Sequence, residues 1–216
     1  MTYLVLLNGV TPDREMLLAY GKEADVILSA DGGARHIYEA GMHMDILMGD
    51  MDSIEPEVLE SVRSSGTKVI THPTHKDETD GQLALDYAVE HGAKRIIVMG
   101  AEGGRLDHLM ANLMLLRRMA SKGVECCMIL DGGTVRCTSQ RVEIHGEVGD
   151  TVSILPFGDD VKVAKTTGLA YAIDKPLAMP MDMPVGISNV LTEKTAQIDM
   201  ASGWALVFHY AKGGNS

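Results

Sequence analysis

The sequence predicts an α/β fold in two parts: an N-terminal domain on a mostly parallel sheet, residues 1–131, and a small C-terminal antiparallel β-sandwich, residues 132–216. Three observations carry this. As far as Leu130, short apolar runs alternate with amphipathic helical stretches, the pattern of parallel strands joined by helical crossovers. Beyond Asp131-Gly132-Gly133 the helical stripe ends, and short strand-like runs follow one another between Gly, Pro and Asp. The chain has 216 residues, of which 45% are apolar, enough to bury a sizeable core and inconsistent with disorder.

Each element has its own signal. Tyr3–Leu7 is an apolar run closed by Asn8-Gly9, and the stretch around Met16, Leu17, Leu18 and Ala19 is helical. Val26–Ala30 predicts a second strand ending at Asp31-Gly32-Gly33, and His36–Ala40 a short helix stopped by Gly41. Ile46–Met48 leads into Gly49-Asp50. Glu55–Ser64 reads as a helix with Pro56 in its first turn and Gly66 past its end. Lys68–Thr71 predicts a strand. From Asp80 to His91, Leu83, Ala84, Tyr87 and Ala88 form one helical stripe. Arg95–Met99 is strand-like, Asp107 to Lys122 predicts the longest helix, and Glu125–Leu130 closes the set. In the second part, strands are expected at Val135–Thr138, Val142–His145, Thr151–Leu155, Val161–Thr166, Leu169–Ile173, Ile187–Thr192, Ala196–Met200 and Ala205–Tyr210.

Charge and cysteine content narrow the function. A formal net charge of −11 without a Lys/Arg cluster speaks against nucleic-acid binding. No apolar stretch has the length of a bilayer span, so no membrane role is expected. The three cysteines, Cys126, Cys127 and Cys137, include no C-x-x-C pair. Adjacent residues on a strand face opposite ways, so Cys126 and Cys127 suit a strand buried on both sides, with reduced thiols and a cytoplasmic location. The 15 methionines read as core filler.

Aspartates recur where strands or helices meet glycine-rich loops: Asp31-Gly-Gly-Ala34, Gly49-Asp-Met-Asp-Ser53, Lys76-Asp-Glu-Thr-Asp80 and Gly103-Gly-Arg-Leu-Asp-His108. In an open α/β sheet the carboxyl ends of the strands are where ligands bind. Two carboxylates about 4 Å apart repel by roughly 1 kcal/mol in water and about 4 at an effective dielectric near 20, so crowding them implies a cation. Oxygen-only donors point to Mg²⁺ rather than zinc. Taken singly, Asp77, Asp80 and Asp107 each read as a helix N-cap, and Ser53 as the cap of the helix after it. Asp50 and Asp52 differ: two apart in extended backbone, both carboxylates face one side, and neither has a structural need for the other. Arg105, the loop glycines and the helix start at Asp107 suit a phosphate. Loop residues His72 and His75 could be metal ligands but read better as solvated. Neither common nucleotide fingerprint is present.

In this order and spacing, the four motifs resemble those of the thiamine pyrophosphokinase (thiamine diphosphokinase) family, as do the later Gly186-Ile-Ser-Asn189 and Ser202-Gly203. The resemblance implies transfer of the β,γ-pyrophosphoryl group of ATP, as co-substrate, to the hydroxyl of thiamine, with AMP released. It implies a homodimer with each active site between protomers. Carried over by motif, Asp50, Asp52, Asp77 and Asp80 hold Mg²⁺ and the phosphates. Lys76, Thr79 and Arg105 match phosphate-contacting positions. Asp31, Gly32, Gly103, Gly104, Asp107 and His108 line the nucleotide crevice, and Ser188 and Asn189 match the thiamine pocket. Trp204, the single tryptophan, either faces the thiazolium cation or fills the core at a strand end. A pyrophosphokinase for another alcohol such as a hydroxymethyl-pterin, a metal-dependent phosphohydrolase and a non-catalytic nucleotide-binding module are the competing readings.

Overall fold

Strand burial on both faces explains the first half of the chain. The computed structural model describes residues 1–52, 54–73, 77–103 and 105–213, and the chain divides into two compact units, Met1–Leu130 and Asp131–Ser216. The first unit holds β1 (Thr2–Leu6), α1 (Arg14–Glu23), β2 (Val26–Ala30), a 3₁₀ turn (Asp31–Gly33), α2 (Ala34–Ala40), β3 (Ile46–Gly49) and α3 (Pro56–Ser64). It continues with β4 (Lys68–Thr71), α4 (Asp80–Glu90), β5 (Arg95–Met99), α5 (Leu106–Ser121) and β6 (Glu125–Leu130). Its strands run parallel in the order β6-β5-β1-β2-β3-β4.

Register stacks the apolar side chains in rows. Leu4 lies beside Ile27 and Ile97, and Leu6 beside Ser29 and Met99. These rows pack on Leu17 of α1, Ile37 of α2 and Val58 and Val62 of α3. The alternate residues Tyr3, Val5, Leu28 and Val98 are also buried, and α4 packs on this side against β1, β2 and β3. Central strands sandwiched this way read as unbroken apolar runs, which is why β1 and β5 were legible. A fully buried Leu such as Leu4 contributes about 1.5–3 kcal/mol. Cys127 joins the α1–α3 core, Cys126 is buried as well, and neither forms a disulfide. Burial raises the Cys126 pKa well above its ordinary value, with Cys127 and Glu125 adding to it.

Strand order also places the site. From β1 the chain steps outward through β2, β3 and β4, then returns to β5 on the other side of β1 and continues to β6. The strand order therefore switches at the neighbouring strands β1 and β5, and a cavity lies at their carboxyl ends.

The second unit is a pair of antiparallel sheets. Strands β7 (Gly133–Thr138), β9 (Thr151–Pro156), β12 (Asn189–Val190) and β14 (Ala205–Tyr210) follow the order β12-β9-β14-β7. Strands β8 (Val142–His145), β10 (Val161–Thr167), β11 (Leu177–Met179) and β13 (Thr195–Ser202) follow the order β11-β10-β13-β8. Ile154, Val163, Ile198 and Val207, from both sheets, share one core. Two expected strands differ. Leu169–Ile173 is not a strand: Leu169 makes a single bridge to Leu191, and the segment folds back so that Thr166 N–H donates to the Ile173 carbonyl at 2.9 Å. Ile187–Thr192 contracts to β12, since Ser188 takes a left-handed conformation at φ 59°. No strand was expected at β11, whose short segment after Pro176 lacks a long alternating pattern.

Asp150 pins the edge of this unit. Buried at 5% exposure, it accepts hydrogen bonds from the Glu147 N–H (2.9 Å), the Lys212 N–H (2.8 Å) and His209 Nε2 (2.9 Å). Burial pushes its pKa up, but the Glu147 N–H, His209 and the Lys212 N–H together outweigh that and leave it below the ordinary value. Asp150→Ala leaves these part-buried donors without their acceptor and should lower the unfolding free energy by about 1–2 kcal/mol in urea titration at pH 7. Because the folded pKa is the lower one, the contribution is present above about pH 4 and disappears as pH falls through the folded value. The gap between variant and wild type should therefore narrow at acid pH; a pH-independent gap would contradict the carboxylate's role.

Candidate active site

A cavity of about 430 Å³ occupies the crevice after β1 and β5. Asn8 and Gly9 line it from β1, Asp31 from β2 and Gly100–Gly103 from β5. Thr79 and Asp80 at the start of α4, and His108 and Asn112 on α5, complete it. The β1 and β5 loops interlock: Val10 N–H donates to the Glu102 carbonyl at 2.6 Å, and Asn112 Nδ2 donates to the Ala101 carbonyl at 2.9 Å. This approach needs a glycine, since a Cβ on Gly9 would lie 2.0 Å from the Glu102 oxygen and 2.3 Å from that of Gly100.

The acidic cluster sits at the ends of β2 and β3. Asp31 opens the turn after β2 with φ 47°, and Asp50 follows the last residue of β3. Asp50 and Asp52 are not in extended backbone as expected. Met51 is left-handed at φ 68°, and Asp52 N–H donates to Asp50 Oδ1 at 3.2 Å, a turn closed by the aspartate itself. The turn still converges the charges: one carboxylate oxygen from each of Asp31, Asp50 and Asp52 lies within 4.8 Å of the others. A hydrogen bond to Asp50 and the Asp50 charge push the Asp52 pKa up, and Asp31 and Asp80 add to it. All donors are hard oxygens, so the set fits Mg²⁺.

The other expected residues divide. Asp80 is close enough for its charge to act on Asp52 but stands outside the three-residue cluster. Asp77 is exposed and also outside it. Neither caps α4: Thr79 does, its hydroxyl accepting from Gln82 N–H at 3.1 Å. Asp107 is not a cap either. It lies one residue inside α5, where both its oxygens take the fork of Arg105, Nε at 3.1 Å, and one accepts from its neighbour's N–H, that of His108. Arg105 holds the Asp107 carboxyl below its ordinary pKa, so an anion reaching Arg105 must share or displace that partner. His72 anchors the end of β4 through its N–H to the Gly49 carbonyl at 3.0 Å. Lys76, Gly104, His75 and Ser53 lie outside the described residues; α3 has Glu55 at its cap position.

In the second unit, Ser188 is exposed, and its N–H donates to Ser153 Oγ at 3.0 Å. Asn189 is buried and its carboxamide is committed. Oδ1 accepts from the Tyr171 and Val190 N–H groups and Nδ2 donates to the Tyr171 carbonyl, all at 2.9 Å. It therefore fixes the backbone of Tyr171, a residue 74% exposed. Trp204 is half-buried in the turn between β13 and β14, its carbonyl accepting from Phe157 N–H at 2.8 Å. Sequence reading missed Asn8, Gly9 and Asn112 as cavity residues. Asn8-Gly9 ends a strand as Asp31 and Gly49-Asp50 do, and that shared position was the available signal.

Fold and site define an α/β protein with a glycine-walled cavity at a sheet switch point and an oxygen-only acidic cluster at the neighbouring strand ends, the architecture of a nucleotide-handling enzyme. Residues 17–128 match the family described as thiamin pyrophosphokinase, catalytic domain, and residues 139–204 match the thiamin pyrophosphokinase vitamin B1 binding domain. The chain belongs to the thiamin pyrophosphokinase family and is an enzyme of the kinase class. It is 25% identical to the thiamine pyrophosphokinase of Bacillus subtilis over 198 residues, 91% of each chain. It is 28% identical to thiamine pyrophosphokinase 1 of Arabidopsis thaliana over 225 residues, 92% of this chain and 82% of the other. The fold matches the crystal structure of the Bacillus subtilis protein with a TM-score of 0.88 at 22% identity, covering 98% and 99% of the chains. The yeast thiamin pyrophosphokinase structure gives 0.82 at 17% identity, covering 99% and 87%.

Charge crowding makes a stability prediction. Because the Asp52 pKa is raised in the folded protein, the ionised form works against folding, and metal-free protein should gain stability as pH falls through that raised value. Asp52→Asn should therefore melt higher than wild type in EDTA at neutral pH, and a rise on adding Mg²⁺ is expected for wild type but not for the variant. Thermal denaturation with and without Mg²⁺ checks both; a variant that melts lower in EDTA and keeps the Mg²⁺ response would contradict the reading.

Proposed function

We propose that this chain transfers the β,γ-pyrophosphoryl group of ATP to the hydroxyl of thiamine, giving thiamine diphosphate and AMP with Mg²⁺ as the required cation. The convergence of Asp31, Asp50 and Asp52 beside the cavity carries this reading. Bound there, Mg²⁺ would neutralise phosphate charge and polarise the phosphoryl oxygens. Asp50 and Asp52 would hold it, with Asp31 and Asp80 as further oxygen donors. Loop glycines after β5 and the start of α5 offer backbone to the phosphates, with Arg105 and Lys76 as cationic partners. The thiamine oxygen bonds to the β-phosphorus as the bond from that phosphorus to the α,β-bridging oxygen breaks. The hydroxyl proton leaves to a base, and AMP departs. In-line positioning of hydroxyl and phosphorus supplies much of the rate.

The second unit supplies the acceptor site in this reading. Ser188 offers an exposed hydroxyl. Tyr171, held by Asn189, offers the open aromatic face that a thiazolium cation favours, more fully than half-buried Trp204. The match to a vitamin B1 binding domain supports thiamine over a pterin or water as acceptor. Pairing of two copies belongs to the same reading. Exposed apolar side chains at Leu177, Met181, Met183 and Ile187, and at Leu106, Met110 and Met114 along α5, support it.

The test incubates ATP, thiamine and Mg²⁺ with EDTA and no-thiamine controls and measures both products. Equal AMP and thiamine diphosphate, abolished by EDTA, is expected. Phosphate or pyrophosphate released without acceptor would instead make the protein a hydrolase. Asp50→Asn should lower kcat by about 10²–10³-fold with circular dichroism unchanged; near-normal turnover would remove Asp50 from the mechanism.

A further inference from the structure

Two carboxamides line the 430 Å³ cavity, and they are used differently. Asn112 is committed to the Ala101 carbonyl. Asn8 is exposed at the end of β1, and its side chain makes no hydrogen bond among the described residues. Asn8 also lines a second cavity of about 160 Å³, shared with Gly32, Arg35 and Glu55, so the residue borders two open spaces.

Its position is set by Gly32. A Cβ built on Gly32 would lie 2.3 Å from Asn8 Nδ2, 2.5 Å from Cγ and 2.7 Å from Oδ1. No other atom comes as near, and Gly32 has no left-handed φ, so its backbone would accept alanine. The missing side chain at Gly32 is a seat for the Asn8 carboxamide, beside Asp31. An acidic side chain here would add to the repulsion already borne by Asp31, Asp50 and Asp52. A carboxamide brings two N–H donors without charge.

We propose that Asn8 is a phosphate-contacting residue: its Nδ2 donates to a phosphate oxygen of the nucleotide held beside Asp31, and Gly32 is glycine to leave the space where this carboxamide lies. This rests on the nucleotide reading of the cavity. It assigns a neutral donor to a rim otherwise crowded with carboxylates, where a lysine would pair with the cluster instead of the ligand.

The test is a double-mutant cycle over N8A, G32A and N8A/G32A, with N8D as a fourth variant. Binding of α,β-methylene-ATP with Mg²⁺ is measured by calorimetry, with steady-state KM values for ATP and thiamine alongside. N8A should weaken binding of the analogue and raise the KM for ATP by about 10-fold or more, as for loss of a hydrogen bond to a charged group, while the KM for thiamine stays unchanged. G32A should do the same by displacing the carboxamide, and the double variant should be no worse than N8A, since the new methyl then occupies vacated space. N8D should bind more weakly than N8A. Wild-type-like analogue binding by N8A would overturn the proposal, and N8A alone decides this if G32A proves unstable. Losses that add in full in the double variant would overturn the seat assigned to Gly32. If wild type itself neither binds the analogue nor forms thiamine diphosphate, the nucleotide reading fails and this proposal with it; an active wild type beside an unaffected N8A removes only the role of Asn8.

Discussion

Repulsion among the carboxylates of Asp31, Asp50 and Asp52 is the constraint around which the first unit is arranged. Nothing in the core requires these charges to meet. They are brought together by two adjacent parallel strands that end side by side, and by backbone conformations that L-residues seldom take, at Asp31 and Met51. Asp tolerates the left-handed region better than most side chains, because it can hydrogen-bond locally. A strained, self-repelling arrangement held at the mouth of a cavity is the usual mark of a functional site.

The remainder of the unit makes that arrangement possible. Strands β1 and β5 are buried on both faces, so their ends are rigid, and the reversal of strand order between them opens the cavity. The loops that leave these ends can interlock only because Gly9 has no side chain. Rigid strand ends, rather than long mobile loops, place the cluster and the glycine-rich wall, which is what a site dependent on exact charge placement needs.

Much of this was legible in the sequence, and the differences have physical causes. Continuous apolar runs identified the central strands, and the loss of helical periodicity after Asp131 identified the change of architecture. Asp50 and Asp52 were singled out by spacing, but the expected extended backbone is a turn, because Asp50 accepts the Asp52 N–H. Asp80 and Asp107 looked like caps because Asp is a good one. The actual cap of α4 is Thr79, and the Asp107 carboxylate is taken by Arg105 and the His108 N–H. Asn189 was matched to a ligand pocket by resemblance, and the structure adds that its carboxamide holds backbone groups of Tyr171 and Val190. Such assignments depend on long-range partners that local pattern does not encode. Asn8 was passed over as a strand end because its significance lies in Gly32, distant in sequence and adjacent only through the pairing of β1 with β2.

The most direct test of a divalent-cation site at the ends of β2 and β3 is equilibrium titration with Mn²⁺, followed by electron paramagnetic resonance, at neutral pH with and without ATP. Saturable binding that Mg²⁺ displaces, that tightens with ATP and that is lost in Asp50→Asn is the result expected. Absence of saturable Mn²⁺ binding to wild-type protein, even with ATP present, would contradict the account at its centre.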